Sequence, residues 1–172
     1  MVRLIMVCGL PGTGKSTVAK FIAEKIGAEL LRTDVIRKEL FSGKDYLEYG
    51  SENVSPEEER MVVYEEMFKH MVDLLKEGKN VILDGTFHKK EVRDKAFFMA
   101  KEVGVELEII EIICPEELVK KGMAERIEKQ EGASTAGFEI YLIYKKMFEP
   151  VKREHLVVDT GDDWKTKLAK DF

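Results

Sequence analysis

The chain has 172 residues, 44% of them hydrophobic, which is enough to bury one core without disulfide or metal staples. A net charge of -5, with Lys and Glu interspersed among 35% charged residues, describes a solvated surface. That balance argues against broad, sequence-blind nucleic-acid binding, which needs clustered Lys and Arg. The two cysteines, Cys8 and Cys114, lie far apart in apolar runs, as expected of small buried hydrophobes in a reducing, cytoplasmic setting. No His/Cys cluster has zinc-ligand spacing, and no apolar run approaches the length of a membrane span.

Short apolar runs alternate with helical patterns, the rhythm of a parallel sheet with crossover helices. Leu4 to Val7 predicts a first strand bounded by Gly9, and a helix follows from about Lys15 to Ile26. Val18, Ile22 and Ile26 would share one face of it, with Gly27 as its stop. Leu30 and Leu31 suggest a second strand, a helix begins near Asp34, and residues 42–55 lack periodicity and read as a loop. Ser55-Pro56-Glu57-Glu58 is a strong helix start, and Met61, Tyr64, Phe68, Met71 and Leu75 keep helical spacing until Gly78. The run "NVILDG" is a buried strand ending in an acid, followed by a helix through Phe97 and Phe98 and the strand "ELEIIEIIC". Helical patterns over Glu116–Lys129 and Phe138–Phe148 flank a glycine-bearing break at 132–137. "HLVVDTG" supplies the last strand before a short terminal helix. The expectation is one α/β domain over residues 1–172, a doubly wound five-stranded parallel sheet in three layers, with a helical lid at about 116–137.

The stretch "VCGLPGTGKST" satisfies the P-loop spacing Gly9-x4-Gly14-Lys15-Ser16, and it lies between a buried strand and an amphipathic helix, where that spacing has mechanical meaning. Gly9, Leu10, Pro11, Gly12, Thr13 and Gly14 would curl the backbone so that successive N–H groups face phosphate oxygens. Thr17 completes the motif, Lys15 would reach the β- and γ-phosphates, and Ser16 would hold Mg²⁺.

Two further segments bear on the fate of the phosphate. In "LLRTDVIRKEL", Asp34 and Arg37 are three residues apart at a helix start and share one face. Asp34 there serves either as a proton acceptor for an attacking hydroxyl or as a helix cap. Arg37 either holds an acceptor anion or steadies that carboxylate, or else is a solvated side chain. In "VILDGTFHKKEVRD", Asp84 ends a continuous apolar strand, where a Walker-B acid holds the metal. Thr86, His88 and Arg93 would follow on the rim of the crevice, with His88 read as an exposed loop residue.

The segments "GLPGTGKST", "TDVIRKEL", "LDGTF" with Arg93, and "EGASTAGFEIYLIYKKMFEP" together resemble the small P-loop kinases of the polynucleotide-kinase-like group. That group includes the kinase domains of phage-type polynucleotide kinases, with zeta-type toxin kinases more distant. The resemblance implies ATP and Mg²⁺ as cofactors and Asp34 as general base. It places Arg37 against the acceptor, Asp84 at the metal or acceptor end, and Arg126 as a lid arginine over the triphosphate. Relatives carry a second lid arginine one turn earlier, where this chain has Gly122; Lys120 or Lys121 would have to replace it. The loop "VVDTGDD" would lie against the nucleotide base.

The resulting expectation is a kinase acting on a hydroxyl acceptor, with a polynucleotide 5′-hydroxyl as first reading and a small polyol, sugar or nucleoside as second. Tyr46, Tyr49 and Phe87 would either stack on a base or anchor loops. A non-transferring NTP switch is the competing class, and Asp34 with Arg37 speaks against it. No obligatory protein partner is evident in the sequence.

Overall fold

In the computed structural model the described residues are 1–41, 56–129 and 137–172. The segment 42–55 and most of the break at 132–137, with Tyr46, Tyr49 and Ser55, lie outside them. The elements in order are β1 (Leu4–Gly9), α1 (Lys15–Ile26), β2 (Glu29–Arg32), α2 (Thr33–Phe41), α3 (Pro56–Lys76), β3 (Val81–Asp84) and α4 (Lys90–Glu102). They continue with β4 (Leu107–Ile113), α5 (Glu116–Glu128), α6 (Phe138–Met147), β5 (Leu156–Asp159) and α7 (Trp164–Leu168).

The five strands form one parallel sheet in the order β2-β3-β1-β4-β5. β1 is buried throughout, and its side chains alternate between two cores. Leu4, Met6 and Cys8 pack with α3 and α4 through Met67, Phe68, Met71 and Ala96. Ile5 and Val7 pack with α1 and α7 through Val18, Ile22, Trp164 and Leu168. A strand covered on both faces has no polar side to show, which is why its run is continuously apolar. The expected three-layer α/β architecture is present.

Local boundaries differ where tertiary pairing adds to the pattern. β1 runs on to Gly9, past the last large apolar residue, because its register with β4 continues to the pair Gly9–Ile112. Ile26, expected on the buried face of α1, is only half-buried, and Ala19 and Ala23 lie against the sheet beside Val18 and Ile22. α5 and α6 stand apart from the layers over the carboxyl ends of the strands. Val119, Met123 and Tyr141 form their own small core with Leu10 of the loop after β1. The order of the strands puts the carboxyl end of β1 between those of β3 and β4, so whatever follows β1 faces a crevice.

Candidate active site

The loop from Gly9 to Gly14 joins β1 to α1 in a tight turn. Gly9 has φ +143, and a Cβ there would lie 2.4 Å from the carbonyl oxygen of Ile112, so the strand could not pair with β4 if it carried a side chain. At Gly12 a Cβ would meet the Met123 side chain at 2.9 Å, which shows how closely α5 rests on the loop. The Leu10 carbonyl accepts from Thr13 Oγ1 at 2.7 Å and from Lys15 Nζ at 2.8 Å, pinning the turn from inside. On the far side, Thr160 Oγ1 donates to the Thr13 carbonyl at 2.6 Å, so the loop after β5 abuts the phosphate loop.

One narrow cleft brings most of the expected residues together. Pro11, Gly12, Lys15 and Ser16 form its floor, with Asp34 on one side and Asp84 and Thr86 on another. Met123 and Arg126 of α5 and Ile140 of α6 close it from above. Thr17 is exposed and Thr13 is buried, so those two frame the loop from outside and beneath.

Asp84 is only 3% exposed and accepts a hydrogen bond from Ser16 Oγ at 2.6 Å. Burial pushes its pKa up, while Lys15, the Ser16 hydroxyl and Arg32 pull it back down. Burial also lowers the pKa of Lys15, opposed by Asp84. A carboxylate and a hydroxyl side by side are hard oxygen donors, and a Mg²⁺ site built with nucleotide phosphates and water needs few such ligands from the protein. Ser16 and Asp84 therefore fit Mg²⁺. Among the described residues no group of three or more His, Cys, Asp or Glu is placed to hold a metal ion.

Asp34 lies in the first turn of α2. Its Oδ1 accepts from the Val35 N–H at 2.9 Å, and its Oδ2 accepts from Arg32 Nη2 at 2.8 Å. Arg37 does not line the cleft. It points into the protein, where Nη1 donates to Glu59 of α3 at 2.6 Å, and the two side chains are 7% and 4% exposed. Lys120 and Lys121 are exposed on α5 and do not line the cleft either; the Lys120 ammonium sits over the Phe138 ring.

Thr86 lines the cleft as expected, but the residues that follow it turn away from the rim. Phe87 is fully buried, packs at a tilt against Tyr64 with centroids 5.0 Å apart, and takes a left-handed φ of +46. Its aromatic ring is a core anchor. His88 is 3% exposed beneath Tyr144, and burial lowers its pKa to about 4, with Arg60 adding to the effect. Arg93, also buried, donates to the carbonyls of Phe87 at 2.6 Å and Glu149 at 2.8 Å, tying this turn to the exit of α6. Arg32 is the site residue that sequence reading overlooked. It ends β2, where a strand's carboxyl edge points at the crevice, and it pairs in register with Asp84.

The family model described as AAA domain matches residues 4–151. An uncharacterized protein of Mycobacterium tuberculosis, Rv2004c, is 34% identical over 143 residues, covering 78% of this chain and 27% of the relative. The chain thus spans about a quarter of the length of that relative. An adenylate kinase of Bacteroides fragilis is 30% identical over 132 residues, covering 69% of this chain and 67% of the relative. The fold matches the unliganded crystal structure of a sugar kinase from Janibacter sp. HTCC2649 with a TM-score of 0.74 at 17% identity, covering 99% of this chain and 92% of that one. Among the described residues no helix is long and apolar enough to cross a membrane. With a phosphate loop at the switch point of a parallel sheet and 4–151 matched end to end, the chain belongs to the P-loop family described as AAA domain.

Proposed function

We propose that the protein is an ATP- and Mg²⁺-dependent phosphotransferase that moves the γ-phosphoryl group to an alcohol. The observation that carries this reading is the placement of Asp34 in the same cleft as Lys15 and Ser16. Lys15 neutralises the phosphates, and the backbone from Gly9 to Gly14 cradles them. Ser16 and Asp84 would hold Mg²⁺, which screens the phosphate oxygens when bound. Asp34 takes the proton of the attacking hydroxyl. Arg126 reaches the cleft from α5, where a guanidinium can meet charge that develops on the transferring group, and Met123 and Ile140 help to exclude water from it. In this scheme Arg37 supports the site from behind: its pairing with Glu59 fixes α2, and hence Asp34, against α3. The likeness to the adenylate kinase of B. fragilis supports phosphoryl transfer as the reaction.

For the acceptor, the motifs shared with polynucleotide-kinase-like enzymes favour a polynucleotide 5′-hydroxyl. A small polyol, sugar or nucleoside is the second reading, favoured by the pairing of Arg32 and Arg37 with carboxylates of the protein itself rather than with an acceptor phosphate. Incubation with γ-labelled ATP, Mg²⁺ and a panel of 5′-hydroxyl oligonucleotide, ribose, glycerol and gluconate tests both. Label on an acceptor identifies the class, and label appearing only as free phosphate across the panel would favour an NTP switch instead.

A further inference from the structure

Arg32 stands between the two carboxylates of the cleft, and its two contacts differ in kind. Nη2 donates a directed hydrogen bond to Asp34 Oδ2 at 2.8 Å. Nε lies 3.4 Å from Asp84 Oδ2, at ion-pair distance but without hydrogen-bond geometry. That nitrogen is buried and has no hydrogen-bond partner among the described residues. Asp84 meanwhile takes its hydrogen bond from Ser16. The guanidinium is therefore committed to Asp34 and only leans on Asp84 by charge. Register makes this arrangement possible, because Arg32 and Asp84 end neighbouring parallel strands at the same level and Asp34 follows two residues on.

We propose that Arg32 is a positioning residue that holds the Asp34 carboxylate for proton transfer while competing with the divalent cation for Asp84. This rests on the reading of Asp34 as base and of Ser16 and Asp84 as metal ligands. A fixed positive charge beside a ligand oxygen opposes the arrival of a second cation there. Once Asp84 is neutralised from the nucleotide side, the guanidinium belongs to Asp34 alone, so the base is held most firmly when the site is loaded. A planar fork can serve two carboxylates in this way, whereas an ammonium is a single point charge.

The test compares the wild-type chain with Arg32→Gln and Arg32→Lys in two measurements: Mn²⁺ binding in the presence of ADP, read by electron paramagnetic resonance, and transfer of label from ATP to the acceptor found in the panel. Arg32→Gln is expected to bind Mn²⁺ at least about threefold tighter, because a competing charge is gone. The same variant should transfer at least about tenfold more slowly with the KM for ATP little changed, because the base is no longer held. Arg32→Lys should bind Mn²⁺ as the wild type does and recover part of the transfer rate. A merely structural role would weaken both properties of Arg32→Gln together. Unchanged or weaker Mn²⁺ binding by Arg32→Gln overturns the competition, and wild-type transfer overturns the positioning. If the wild type labels no acceptor, the kinase reading fails, and the Mn²⁺ comparison still decides the competition. If Arg32→Gln does not fold, Arg32→Lys carries the test: slower transfer at wild-type Mn²⁺ affinity supports the proposal, and wild-type transfer overturns it.

Discussion

Replacing Arg37 with methionine separates a support from an acceptor contact. The Arg37–Glu59 pair is 2.6 Å long with side chains 7% and 4% exposed, so water cannot solvate whichever partner is left behind. Arg37→Met strands the Glu59 carboxylate, and breaking a buried pair in this way costs about 3–5 kcal/mol. For a chain of this size each kcal/mol moves Tm by about 2–4 °C, which gives a fall of about 6–20 °C. The double variant Arg37→Met/Glu59→Leu removes the stranded charge and is expected to regain most of that loss, since apolar replacement of a buried pair is often neutral. Calorimetric melts of the wild type, both single variants and the double variant at neutral pH measure these differences, with label transfer recorded for each. An Arg37→Met melt within about 1 °C of wild type would mean that the pair is solvated and that Glu59 is not left stranded. A double variant that is as stable as wild type and inactive in transfer would instead put Arg37 on the acceptor.

Gly9→Ala forces a Cβ to within 2.4 Å of the Ile112 carbonyl at φ +143; strain and overpacking together should cost about 2–6 kcal/mol, read as a lowered Tm, and an unchanged melt would contradict the β1–β4 geometry. His88 has its pKa lowered from 6.5 to about 4, so the folded state binds fewer protons than the unfolded chain between those values. Stability is therefore fully present above pH 6.5 and falls by about 3 kcal/mol as the pH drops to about 4. Urea titrations across that range should show His88→Phe with a flatter dependence than wild type, and parallel curves would remove His88 as the cause. Arg126→Ala should lower kcat more than it weakens ATP binding, as for a group that meets charge in the transition state; the reverse pattern would mark a ground-state contact.

The phosphate loop was legible because its chemistry demands fixed spacing, and the glycines that permit the turn also mark the ends of β1 and α1. Continuous apolar runs announced strands covered on both faces. The strand order and register came from tertiary pairing, which periodicity does not encode, and with them went Arg32: alone, it reads as a charge at the end of a short strand. Arg37 and Asp34 share the helical spacing expected of them, yet Glu59, the partner that turns Arg37 inward, lies 22 residues away on another helix. The burial of Arg93 likewise depends on a carbonyl of Glu149, 56 residues distant, which no local pattern signals. His88 illustrates the same difficulty, since a neutral histidine beneath Tyr144 has the sequence appearance of a loop residue.

Whether Asp34 activates the alcohol is decided by single-turnover transfer from γ-labelled ATP by Asp34→Asn, paired with the binding of a non-hydrolysable ATP analogue. Asp34→Asn should bind the analogue with wild-type affinity and transfer about 10²–10⁴-fold more slowly, the range for a lost general base. Transfer at the wild-type rate would contradict that role, because the carboxylate in the cleft would then have no part in activating the alcohol.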